Sequence, residues 1–219
     1  MQKIAFEDCS CTSLDRLFGL KQVETLPSLE DLLHRKYEIN DFQQSYLSML
    51  QDKLNFNVLG WNEQELALHF IGPLTTFVDF TDKDGRFNEF AERMFSAKIN
   101  DEIELEGKPD GFIATGRREP EIPIFCLQEF KRQLDSSGDP AGQALAAMLA
   151  SQKLNDNDMP IYGCWILGRD WSFMTLEGKR YAMSRGHVAT TDDIFEIFRI
   201  LQGLKQIVIE HVEGKFVAV

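Results

Sequence analysis

The feature that most constrains this chain is a change in the period of its apolar residues. Leu29, Leu32 and Leu33, and then Phe42, Tyr46, Met49, Leu50 and Leu54, recur at the spacing of a helical face and predict two N-terminal helices. A third helix is expected from Asn62, an N-cap residue followed by Glu63 and Glu65 in the first turn, and should run toward Pro73. From about Phe87 the period falls to two. Strands are expected near Phe90 to Ile99, Glu102 to Glu106, Gly111 to Thr115 and Ile122 to Lys131, separated by turn residues. Asp135-Ser-Ser-Gly-Asp-Pro then breaks the chain, and Pro140 opens a helix through Gln143, Leu145, Met148, Leu149 and Gln152. Strands near Ile161 to Leu167, Ser172 to Leu176 and Tyr181 to Met183 follow. A last helix from Thr190-Thr-Asp-Asp carries Ile194, Phe195, Phe198, Ile200, Leu201 and Leu204 at core spacing.

Helices, a mainly antiparallel run of strands, a crossover helix, another strand and a closing helix make an α/β fold with a mixed central sheet flanked by helices. No internal repeat or Gly/Ser-rich linker divides the 219 residues, which are read as one domain. It has a helical N-terminal extension over 1–60, a core over 61–170 and a C-terminal hairpin and helix over 171–219.

Apolar residues at 43% and charged residues at 26% exclude a disordered or low-complexity chain. No apolar run approaches the roughly 18 residues a membrane helix needs. The first residues carry Glu7 and Asp8 where a signal peptide would have its hydrophobic stretch, so a cytoplasmic protein without membrane contact is expected. The four cysteines, Cys9, Cys11, Cys126 and Cys164, are too sparse for a disulfide scaffold and are expected as thiols. Cys9-Ser-Cys11 has no second pair to complete a zinc site, and His34, His69, His187 and His211 are scattered. Trp165 and Trp171 are expected to pack in the core or at its rim.

The net charge of −12 opposes general attraction to phosphate. It is uneven. Residues 1–116 carry 11 basic and 21 acidic groups, net −10, whereas residues 117–185 carry 9 of each. The C-terminal half can therefore present a basic face, through residues such as Arg117, Arg118, Lys131 and Arg132.

Two short segments carry chemistry. Lys108-Pro-Asp110-Gly opens one predicted strand, and Leu127-Gln-Glu129-Phe-Lys131 ends another, with Glu129 19 positions after Asp110. Residues i and i+2 of a strand share a face, so Glu129 and Lys131 project together and Phe130 projects oppositely. The apolar lead-in from Ile122 to Leu127 makes that strand central. A carboxylate and an ammonium at its buried end are costly unless they are paired or bind something. A second carboxylate alongside gives a cluster that a hard divalent cation would relieve. Read singly, Asp110 suits the turn before Gly111, and Glu129 with Lys131 suits a solvated strand face.

Together these segments resemble the PD-(D/E)xK nuclease superfamily, with Pro109-Asp110 as the first half of its signature and Glu129-Phe130-Lys131 as the second. The resemblance spans roughly Asn62 to Leu167 and implies a restriction-endonuclease-like core of helix, three strands, helix and strand. It implies that Asp110 and Glu129 bind magnesium, for which manganese can substitute, and that Lys131 orients or activates the attacking water. Many members place a glutamate on the preceding helix. Glu63 shares a face with Leu66, Ala67, Phe70 and Leu74, whereas Glu65 shares one with His69 and Gly72, so Glu63 is the helix carboxylate expected to assist with the metal. Some members also use a glutamine of the crossover helix, here Gln143, although Ala147 stands where one subgroup has tyrosine. The implied activity is metal-dependent phosphodiester hydrolysis with DNA as the default substrate, in a protein that can act as a homodimer. The alternative is a catalytically silent nuclease-like fold that docks a basic partner through its acidic N-terminal half.

Overall fold

The structure is a computed structural model that describes residues 1–135 and 138–214, and of Pro123, Cys126 and Leu127 the backbone alone. Strand β1 (Gln2–Ala5) leads through a 3-10 turn (Phe6–Asp8) into helix α1 (Cys11–Phe18), capped reciprocally by Ser10 and Ser13. Strand β2 (Lys21–Gln22) and helices α2 (Pro27–His34) and α3 (Asp41–Asn57) follow. Helix α4 (Glu63–Leu66), a π-helical turn (Ala67–Ile71) and helix α5 (Gly72–Val78) form one rod. Next come strands β3 (Asn88–Ala91), β4 (Phe95–Lys98), β5 (Ile103–Gly107), β6 (Gly111–Thr115) and β7 (Glu121–Lys131). Helix α6 (Pro140–Asn155) crosses over to strands β8 (Ile161–Leu167), β9 (Asp170–Glu177), β10 (Arg180–Met183) and β11 (His187–Val188), and helix α7 (Asp193–Val212) closes the fold.

The eight-stranded sheet runs β2-β10-β9-β8-β7-β6-β3, with β11 on β9. It is mixed: β6 and β7 are antiparallel, and the α6 crossover makes β8 parallel to β7. Alternation along the strands, shifted once in β7 where Ile113 pairs with Cys126 and Ala114 with Ile124, supplies two cores. Ile113, Phe125, Phe130, Cys164 and Ile166 face helices α2, α3, α5 and α7. Phe112, Ala114, Ile124 and Ile161 face α1, α6 and a second, three-stranded sheet of order β1-β5-β4. Helix α6 lies between the two sheets, and residues 142–151 are all buried. Its alanine-rich sequence gives it the small girth this requires, and its all-round apolar character is that of an enclosed helix. Among the described residues no helix is long and apolar enough to cross a membrane.

Three expectations change. The strand expected over Phe90 to Ile99 is two strands in different sheets. The chain turns at Glu92, whose φ of +50° ends the ladder, and β4 pairs with β5 instead. The helix expected to stop near Pro73 continues to Val78. The Gly72 N–H reaches back to the Ala67 carbonyl, and this widened π turn lets the proline ring follow without opposing a tight helical turn. Residues 1–60 are not a purely helical extension: β1 pairs with β5, β2 pairs with β10, and α1 is a third helix. The C-terminal hairpin and helix expected from 171 onward are present, and β9 and β10 extend the same sheet. Part of the expected break, Ser136 and Ser137, lies outside the described residues, as does the side chain of Cys126. Cys9, Cys11 and Cys164 are free thiols.

Candidate active site

The pairing of β6 with β7 assembles the site. Gly111 faces Gln128, so the preceding residue, Asp110, falls opposite Glu129, the antiparallel relation in which side chains share a face at close range. A separation of 19 residues thus becomes direct juxtaposition. The Phe130 N–H donates to Asp110 Oδ2 at 2.7 Å, so the aspartate is fixed to the far strand rather than to its own turn. Gly111 lets the Gln128 side chain lie close against β6. A Cβ at this position would stand 2.8 Å from Gln128 Oε1.

Glu129 is only 8% exposed although it is charged at neutral pH in water. Its Oε1 accepts from Lys131 Nζ at 3.1 Å, and the same ammonium lies 3.9 Å from Glu63 Oε2 on α4. The sequence choice between the helix acids is resolved locally. Glu65 Oε2 accepts from the Asn62 N–H at 2.9 Å as half of a capping box, which leaves Glu63 to face β7. Asp110, Glu129, Lys131 and Gln143 line one pocket of about 290 Å³, whose other walls include Phe6, Glu7, Met94 and Lys108.

Gln143 is buried, with Nε2 3.5 Å from the Glu7 carbonyl. Its place depends on Asp139, which caps α6 through the Gly142 N–H and also accepts from the Cys11 N–H, tying the starts of α1 and α6 together. Trp171 is buried in the core and Trp165 is half-buried against the α6 side.

The electrostatics follow from this crowding. Burial pushes the Asp110 carboxyl up to about 6, opposed by the Phe130 N–H and reinforced by Glu63. Burial likewise pushes Glu129 up to about 7, with Asp110 next in effect and Lys131 opposing. Burial works against the Lys131 ammonium, but Glu129, Glu63 and Asp110 outweigh it and the net direction is up.

Asp110, Glu129 and Glu63, the acids expected to share a metal, do not form a closed cage. Among the described residues no three or more His, Cys, Asp or Glu side chains gather closely enough for one. The physical reason is like charge: Asp110 and Glu129 adjoin, and Glu63 is joined to them through Lys131. The donor set still fits a hard divalent cation. Asp110 Oδ2 is held by Phe130 and Glu129 Oε1 by Lys131, which leaves one hard oxygen on each carboxylate. Keeping both carboxylates ionised side by side is the cost that a cation would relieve.

Sequence reasoning passed over Glu89, Glu92 and Gln128. Glu92 is bound by Lys108 at 3.1 Å on the rim, and Gln128 Nε2 donates to Glu89 Oε1 at 3.3 Å. No sequence pattern singled them out, because their neighbours come from other strands and from the helical rod. No family model matches the chain, and no curated protein matches it.

Proposed function

We propose that this chain is a metal-dependent nuclease that hydrolyses phosphodiester bonds of DNA on a restriction-endonuclease-like core. The observation that carries the reading is the facing of half-buried Asp110 and buried Glu129 across β6 and β7 with Lys131 3.1 Å from Glu129. The order of helix, antiparallel strands, crossover helix and parallel strand around them supports it.

Asp110 and Glu129, with Glu63 beside them, would hold magnesium, or manganese in its place. When bound, the ion supplies Lewis-acid polarisation of the phosphate and a water of lowered pKa. Glu129 holds the Lys131 ammonium beside the reacting phosphate, where its positive charge offsets the charge that builds in the transition state. Lys131 also donates hydrogen bonds that orient the attacking water. Phe130 keeps Asp110 in position through its N–H, so the carboxylate does not swing with substrate. Gln143, which lines the same pocket, offers an amide to the substrate. The neutral charge balance of residues 117–185 allows a phosphate backbone to approach this side despite the acidic N-terminal half.

With magnesium or manganese the purified protein is expected to nick or degrade DNA, and Asp110→Ala, Glu129→Ala and Lys131→Ala each to abolish that activity. Activity that survives all three substitutions refutes the assignment. A second reading, a silent fold that docks partners, is favoured by one observation: Phe42, Met49 and Phe56 stand exposed at seven-residue intervals along α3. Replacing these three by serine should leave hydrolysis intact under the first reading.

A further inference from the structure

A second cavity, of about 350 Å³, adjoins the candidate site and shares Asp110 with it. The two open on opposite faces of β7. Glu129 and Lys131 line the first, while Gln128 and Phe130, which alternate with them, line the second. Its size is at the small end of ligand pockets, suited to a compact planar molecule.

Three observations indicate what it takes. Phe90, Phe130, Ile71 and Ala67 give it apolar walls. Polar groups are few and convergent: Glu89, half-buried, is held by Gln128 Nε2 at 3.3 Å and by the Thr75 hydroxyl. The Gln128 bond is to Glu89 Oε1, and each oxygen of an ionised carboxylate can accept more than one hydrogen bond, so Glu89 keeps acceptor capacity. Finally, one wall is the π-helical turn, Ala67 to Ile71, a widened helix of the sort that recurs at functional sites.

We propose that this cavity receives one unstacked nucleobase adjoining the scissile phosphate, and that Glu89 selects a base bearing an amino group. The inference rests on the nuclease reading and deepens it. An ionised glutamate only accepts, so it pairs with the exocyclic amino group of cytosine, adenine or guanine, whereas thymine has no such group. Apolar walls and a single polar edge are the means by which enzymes hold an extruded base. A base pocket also addresses a difficulty set by the sequence. At a net charge of −12 the phosphate attraction that dominates nucleic-acid binding is weak, and stacking of an uncharged base contributes affinity that charge does not oppose.

The test uses a short DNA duplex with a single 2-aminopurine, whose fluorescence rises on leaving the stack, bound to the full chain in calcium and then assayed for cleavage in magnesium. The parent is expected to raise the fluorescence. Thr76→Trp, an exposed position at the cavity wall, should abolish the rise and weaken binding by about tenfold. Glu89→Gln should reduce the preference for a single cytosine or adenine over thymine in single-stranded probes, with an unchanged melting temperature as the check on folding. Cleavage with no fluorescence change in any sequence context overturns the base pocket and leaves the nuclease. A fluorescence rise without hydrolysis in either metal keeps the pocket and removes the nuclease. Glu89→Gln with an unaltered base preference overturns the role given to Glu89.

Discussion

Substitution of Asp110 by Asn separates a metal-binding carboxylate from a structural one without any substrate. Asp110 is pushed up to about 6 from an ordinary 3.8, so its ionised form costs at most about 3 kcal/mol more in the fold than in the unfolded chain. Its partial exposure reduces this to about 1–2 kcal/mol. Asn keeps a neutral oxygen for the Phe130 N–H, so the cross-strand bond survives the change. In chelator at pH 8 the variant is therefore expected to melt about 2–8 °C above the parent.

The sign reverses nothing but removes the gain at low pH. A carboxyl raised in the fold stabilises below its unfolded value, and that stability is lost as pH rises from about 4 through about 6. At pH 4 the parent's Asp110 is protonated, and the two proteins should melt together. His211, which burial lowers to about 4, acts in the same window with opposite sign. It is common to both proteins and cancels in their difference. Magnesium at ten times its dissociation constant should then stabilise the parent by about 1.4 kcal/mol, a shift of roughly 3–6 °C, and the variant hardly at all. The assay is a set of thermal melts at two pH values with chelator and with magnesium. A loss of about 3–5 kcal/mol in chelator, the mark of a broken buried ion pair, or equal magnesium shifts in both proteins, refutes the metal-site reasoning.

Two further outcomes test the supports of the site. Glu63→Gln should lower nuclease activity with little effect on melting, whereas Glu65→Gln should leave activity unchanged. Glu65→Ala should cost about 0.5–1 kcal/mol by opening the Asn62 capping box; equal kinetic effects of Glu63→Gln and Glu65→Gln would contradict the assignment. Gly142→Ala would place a Cβ 2.5 Å from Ser10 Cα, so a loss of about 1–3 kcal/mol is expected in denaturant unfolding, and a neutral result would show that α1 and α6 can part freely.

Where a short apolar run was bounded by turn residues, the sequence was enough. The strands Gly111–Thr115 and Ile161–Leu167 were legible to the residue, because each is a continuous apolar run, buried on both faces, with turn residues at its ends. Glu129 and Lys131 were placed on one strand face by the two-residue period, and Glu63 was preferred to Glu65 by its helical face. Short elements were not legible. Strands β1 and β2 have four and two residues and little apolar content, and they exist only because β5 and β10 offer them edges. The turn at Glu92 and the π turn before Pro73 likewise depend on neighbours that no local pattern encodes.

Tertiary structure alone decided that Asp110 faces Glu129. Strand periodicity fixes which face a residue takes but not which residue of another strand it meets, and that depends on the register of β6 against β7, including the irregularity near Ala114. It also decided the protonation of the site. Composition shows acids and a lysine, but only burial beside one another raises Asp110 and Glu129 together. The second cavity is likewise beyond the sequence, since its walls come from the helical rod, β3, β6 and β7, and meet only when the sheet and the rod have packed.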